Sequence, residues 1–112
     1  MQREEVLRDQ RNFVSVYNKG NSKGSKLVVV LYKKNRLSMN RVAFVASKKV
    51  GNSVRRNRAR RLMREAYRNI SSKLVSGYDI IFVARNGIEK FKMKDVQRSM
   101  YNALERASLL NK

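Results

Sequence analysis

Between residues 53 and 70 the apolar positions recur with the period of a helix. On a wheel of roughly 100° per residue, Ala59, Leu62, Met63, Ala66, Tyr67 and Ile70 share one side, and Asn57, Arg60, Arg61, Arg64 and Arg68 share the other. Gly51 breaks the chain before this segment, and Asn52 and Ser53 are candidate N-caps, so the helix is expected to begin near Ser53 or Val54. A shorter helical pattern, Phe13, Val16 and Tyr17, follows the cap candidate Asp9, and Gly20 is expected to close it as a left-handed residue. A third helix over 93–108 carries Met93, Val96, Met100, Ala103, Leu104 and Ala107 on one face. Lys92 and Lys94 give it a poor N-terminus, predicting a frayed first turn. Three runs rich in β-branched residues read as strands. Residues 27–32 are continuously apolar, as in a strand buried on both sides or at the centre of a sheet. Residues 42–46 are expected antiparallel to that strand, and 79–84 form the third. Residues 20–25 read as a flexible loop with room for a brief edge strand, and 1–8 as extended or disordered. The pattern predicts a single α+β domain spanning residues 1–112, with a small mixed sheet.

Charge changes the picture more than composition does. Lys and Arg number 27 against 8 Asp and Glu, a formal net charge of +19 spread along the chain. A folded domain so charged repels itself, and nucleic acid is its natural partner; a membrane surface is the weaker fit. No apolar run approaches a transmembrane length and the N-terminus carries no apolar secretory stretch, so the expected location is the cytoplasm and no membrane partner is expected. The surplus is densest on the central helix. Arg55, Arg56, Arg58, Arg60, Arg61, Arg64 and Arg68 share it with one acid, Glu65, and three of them crowd the end where the helix dipole is already positive. A solvated helix face normally mixes signs to gain pairs one turn apart. This one calls for an external polyanion, and guanidinium groups match phosphate geometry well.

The chain offers little chemistry of its own. With no Cys and no His it lacks disulfides, thiolate zinc sites and the commonest general base. Its acids are Glu4, Glu5, Asp9, Glu65, Asp79, Glu89, Asp95 and Glu105. Only Glu4 and Glu5 are adjacent, and neighbouring side chains in extended backbone diverge. No catalytic residue, protein-borne metal site or phosphate loop is expected, and no small-molecule substrate.

The run Ser47-Lys48-Lys49-Val50-Gly51-Asn52, followed by Val54, Arg56-Asn57-Arg58, Arg60-Arg61 and Arg64, resembles the signature of the protein subunit of bacterial ribonuclease P. Arg60 stands where many members carry Lys, which keeps the charge. The resemblance covers nearly the whole chain and implies an αβββαβα order. It also implies a left-handed βαβ crossover, against the ordinary right-handed rule. It implies an RNA-binding subunit that assists a catalytic RNA in removing the 5′ leader of precursor tRNA, with Mg²⁺ bound mainly by the RNA. Lys48, Lys49, Asn52, Arg55, Arg56, Asn57, Arg58, Arg60, Arg61, Arg64 and Arg68 would then dock on the ribonuclease P RNA. A cleft formed by Phe13 and Tyr17 with Leu31 or Tyr32 would hold the leader. On periodicity alone Phe13 and Tyr17 read as core residues. A ribosomal-type structural protein or RNA chaperone is the alternative of equal basicity, and a self-sufficient nuclease is disfavoured by the acid census.

Overall fold

The computed structural model describes residues 4–111. In chain order its elements are β1 (Glu4–Val6), α1 (Gln10–Lys19), β2 (Asn21–Gly24), β3 (Val28–Lys34), β4 (Asn40–Val45), α2 (Ser53–Ile70), β5 (Tyr78–Ala84) and α3 (Met93–Arg106), with short 3-10 turns at Ser71–Lys73 and Ile88–Lys90. The expected αβββαβα order is present, preceded by one extra strand. Of the N-terminal segment, residues 4–6 are extended and pair in parallel with β4, while residues 1–3 lie outside the described residues.

The sheet is five-stranded in the order β1-β4-β5-β3-β2. Two strand expectations change. β5, not β3, is the central strand, and Ile80, Ile81 and Phe82 are fully buried there. β3 and β4 do run in opposite directions, but β5 lies between them, antiparallel to β3 and parallel to β4. Both pairs thus join segments far apart in sequence, which a local apolar pattern cannot specify. Asn40 fixes one end of the β4–β5 register: its side chain donates to the Val75 carbonyl at 2.8 Å and accepts from the Tyr78 N–H at 2.9 Å.

The alternation of strands puts a core on each face. Val28, Val30, Val42, Ile80 and Phe82 face α2 and α3, where Phe44 stacks on Phe82 at 5.5 Å and meets Tyr67 edge-on at 5.7 Å. Ile81 faces the other way, toward Leu7 and Val16. On that second face α1 packs over β3 and β5, while Ala43 and Val45 of β4 stay half-buried.

Two helix ends differ from expectation. Gly20 closes α1 in extended backbone, φ −81° and ψ 177°, and not as a left-handed residue. Glycine is required there by close approach, since a Cβ would stand 2.5 Å from the Val16 carbonyl oxygen and 2.7 Å from that of Tyr32. The first turn of α3 is held rather than frayed, because the Asp95 carboxylate accepts the Lys92 N–H at 3.2 Å.

Candidate nucleic-acid interface

The arginine helix is set by its entry turn. The Val50 N–H donates to the Ser47 carbonyl at 3.0 Å and the Gly51 N–H to that of Lys48 at 3.2 Å. Gly51 then takes φ +142°, a conformation that side chains rarely adopt. The side chain of Asn52 caps α2, accepting the Arg55 N–H at 3.0 Å. Asn52, expected at the RNA surface, therefore has a structural duty as well. The turn presents Lys48 and Lys49 to solvent.

The buried stripe of α2 is Ala59, Leu62, Met63, Ala66, Tyr67 and Ile70, as the wheel predicts. The polar side is less uniform. Arg55, Asn57, Arg58, Arg61, Arg64 and Arg68 are exposed, whereas Arg56 and Arg60 are half-buried. The Nε of Arg58 donates to the Glu89 carbonyl at 2.9 Å, tying α2 to the turn before α3. Arg60 is hydrogen-bonded to the Asn57 side chain. The Arg64 guanidinium lies 5.8 Å from the Phe44 ring centroid. Arg56 has its Nε buried with no protein partner. Ion pairs join Arg11 with Asp9 and Arg41 with Asp79, and Glu65 takes part in neither, so it neutralises none of the stripe.

Across the molecule, α1 brings Phe13 and Tyr17 together with ring centroids 5.2 Å apart. Asp9 positions this helix by accepting the Arg11 N–H at 2.9 Å, and that bond holds its carboxyl below the usual range. Partial burial pushes the Tyr17 hydroxyl above its ordinary value, yet the side chain remains about half exposed, at 47%. Phe13 packs with Leu31, Ala43, Val45 and Val83 around the smaller core. Leu31 thus lines this face. Tyr32 does not: one residue along β3 it points through the sheet to the larger core, where its ring stands 6.4 Å from that of Tyr78. Of the four cleft candidates, Phe13, Tyr17 and Leu31 converge and Tyr32 is removed by the pleat.

The two surfaces are joined at one end. Val29 and Val83 continue the face beside α1 into an open cavity of about 690 Å³ that also takes in Lys26, Ser47, Lys49 and Arg85. Lys49 therefore belongs to both the entry turn of α2 and the basic mouth of the cleft. Lys26 and Arg85 carry no signal in the sequence, since each is an isolated cation beside a strand end and only the sheet brings them near Lys49. At the opposite end of the face Arg41 grips Asp79 with two bonds of 2.7 Å, and Asn35 adds a third at 3.0 Å.

Among the described residues no three acidic side chains come close enough to hold a metal ion. Asp79, the most buried of the described acids, is committed to Arg41 and Asn35.

The model of the ribonuclease P protein family matches residues 1–108 of the chain. The chain belongs to this family. A ribonuclease P protein component from Clostridium botulinum (strain Loch Maree / Type A3) is 39% identical over 110 residues, covering 97% of this chain and 99% of that protein. The ribonuclease P protein of Staphylococcus aureus superposes with a TM-score of 0.83 at 29% identity, over 95% of this chain and 97% of that one. The protein from Thermotoga maritima gives 0.81 at 29% identity, over 91% and 96%. This is therefore an RNA-binding protein subunit of ribonuclease P, an α+β chain of the same fold as those relatives.

Proposed function

We propose that the chain assists a catalytic RNA in cleaving the 5′ leader from precursor tRNA, with Mg²⁺ held by the RNA. The carrying observation is the junction at Lys49, where a basic helix entrance and the mouth of an aromatic-lined face share one residue. On this reading the exposed Arg55, Arg61, Arg64 and Arg68, with Lys48 and Lys49, dock on phosphates of the folded ribonuclease P RNA. The face beside α1 takes the leader, an unpaired strand whose bases stack on Phe13 and Tyr17 and lie against Leu31. Arg58 ties the helix to the turn before α3, Arg60 and Asn57 hold each other along it, and Asn52 caps it. The protein contributes binding and orientation, and the metal supplies activation of the attacking water within the RNA.

Support comes from the charge unbalanced along α2, the half-exposed aromatic pair, and the dispersal of the acids. The test is precursor-tRNA cleavage at low Mg²⁺ with protein alone, RNA alone and both together. Cleavage is expected only where the RNA is present, with protein lowering the Mg²⁺ required. Metal-dependent cleavage by RNA-free protein, abolished on mutating one of its own acids, would sink this reading.

A further inference from the structure

α2 and α3 lie side by side, and a groove of about 450 Å³ runs along their outer seam, away from the Phe13 face. We propose that this groove is a third RNA surface that takes an unpaired strand; the class of partner rests on the family assignment, and the site itself on the geometry that follows.

Tyr101 forms one wall, half-buried, with the Nζ of Lys73 5.7 Å from its ring centroid. Lys94 and Arg98 rise one turn apart on the same side of α3. None of these three cations takes part in the Arg11–Asp9 or Arg41–Asp79 ion pairs. A merely solvated basic face has no use for an aromatic wall, and a structural aromatic has no need of three unneutralised cations around it. Beside Tyr101, Asn69 donates from Nδ2 to Oε1 of Gln97 at 3.0 Å. One bond between two amides leaves an acceptor on one and a donor on the other, a pair that fits the edge of a base. Ring face, paired amides and flanking cations are the components by which unpaired RNA is held, stacking the base and neutralising its phosphates. A base on Tyr101 would shift the Lys73 ammonium from the ring toward the adjoining phosphate.

The pattern repeats across α3. Arg98 also lines a smaller cavity of about 120 Å³ on the helix's other side, where Lys26 stands 5.2 Å from the centroid of the half-buried Phe91 ring. The one carboxylate there, Asp95, is engaged with the Lys92 N–H. Two ring-and-cation pairs thus flank a single arginine, as a strand crossing the helix would require. A duplex keeps its bases stacked and could reach only the cations.

The test uses the full-length protein and an eight-nucleotide oligouridylate carrying 5-iodouracil. Photocrosslinking should label the peptide that contains Tyr101. Tyr101→Leu should weaken oligonucleotide binding roughly five-fold to a hundred-fold. The paired change Lys94→Gln with Arg98→Gln alters only exposed side chains and so tests the site without touching the core. It should flatten the salt dependence by roughly 0.7 in slope for each phosphate no longer neutralised. Tyr17→Ala, made in parallel, separates this groove from the face beside α1. If crosslinks map only to Phe13 or Tyr17 and Tyr101→Leu binds as before, the groove is overturned while the leader reading stands. If Tyr17→Ala is silent and Tyr101→Leu is not, the groove stands and the leader reading fails. A duplex of equal length that binds as tightly, with the same loss in the double variant, would overturn the assignment to an unpaired strand.

Discussion

Leu31 and Tyr32 are adjacent in β3 and end on opposite faces of the sheet, Leu31 beside Phe13 and Tyr32 beside Tyr78. The face proposed for the leader therefore has an aliphatic residue where a third ring could stand. Leu31→Tyr should tighten binding of precursor tRNA without changing that of mature tRNA, by up to about 1 to 3 kcal/mol if the new ring stacks on a base. Tyr32→Leu should leave both affinities alone and lower stability by roughly 1 kcal/mol through the lost ring pair. Titrations of both tRNA forms against the assembled enzyme, with thermal melts of each variant, decide the matter. A loss of precursor affinity in Tyr32→Leu at full stability would reverse the assignment.

Tyr17 and Phe13 differ in how far their packing and binding roles can be separated. Tyr17 is about half exposed, at 47%, so Tyr17→Ala should cost little stability and selectively weaken precursor binding. Phe13 is packed against the smaller core. Its truncation should cost stability too, though less than the roughly 3 to 5 kcal/mol typical of a fully buried aromatic. Equal weakening toward precursor and mature tRNA in Tyr17→Ala would argue against a leader contact.

Arg61 and Arg58 are both exposed arginines of α2, but only Arg58 is spent on the protein itself, through the Glu89 carbonyl. Arg61→Ala should weaken assembly with ribonuclease P RNA and lower the salt slope by somewhat less than about one unit, with an unchanged melting temperature. Arg58→Ala should destabilise the protein by about 1 kcal/mol. Binding isotherms at several salt concentrations, read with melting curves, distinguish them; identical behaviour would mean that charge alone, and not position, governs docking.

Arg41 and Asp79 form a bidentate pair with Asp79 buried at 5% exposure. Removing only the arginine strands a buried carboxylate. Arg41→Met should therefore cost about 3 kcal/mol or more in urea unfolding, while Arg41→Met with Asp79→Leu should recover most of the loss. A double variant no more stable than the single one would show that the pair is not the source of the effect.

Much of this was legible in the residues. The buried stripe of α2, the Asn52 cap and the Asp9 cap follow from period and chemistry confined to a few neighbouring residues. What stayed hidden needed partners distant in sequence. Nothing in the run around Val28 says that β5 and not β3 takes the centre, because both are equally apolar and only pairing decides. The side of Leu31 follows from strand register, which that uninterrupted run of apolar residues leaves unmarked. Gly20 resembles a left-handed cap in sequence, but its real constraint is the Tyr32 backbone across the sheet. Lys26 and Arg85 become neighbours of Lys49 only once the strands align.

The position of β5 between β3 and β4 also orders events during synthesis. As the chain leaves the ribosome, α2 and its arginines emerge before the strand that joins the two halves of the sheet. Until Tyr78–Ala84 follows, β3 and β4 each present an unpaired edge and the apolar side of α2 lacks the Ile80 and Phe82 surface on which to settle. Closure must wait for contacts of long sequence separation, the kind that slows folding. The nascent protein is thus already a polycation before it is a folded one, and its most basic segment is available to RNA before the sheet beneath it exists.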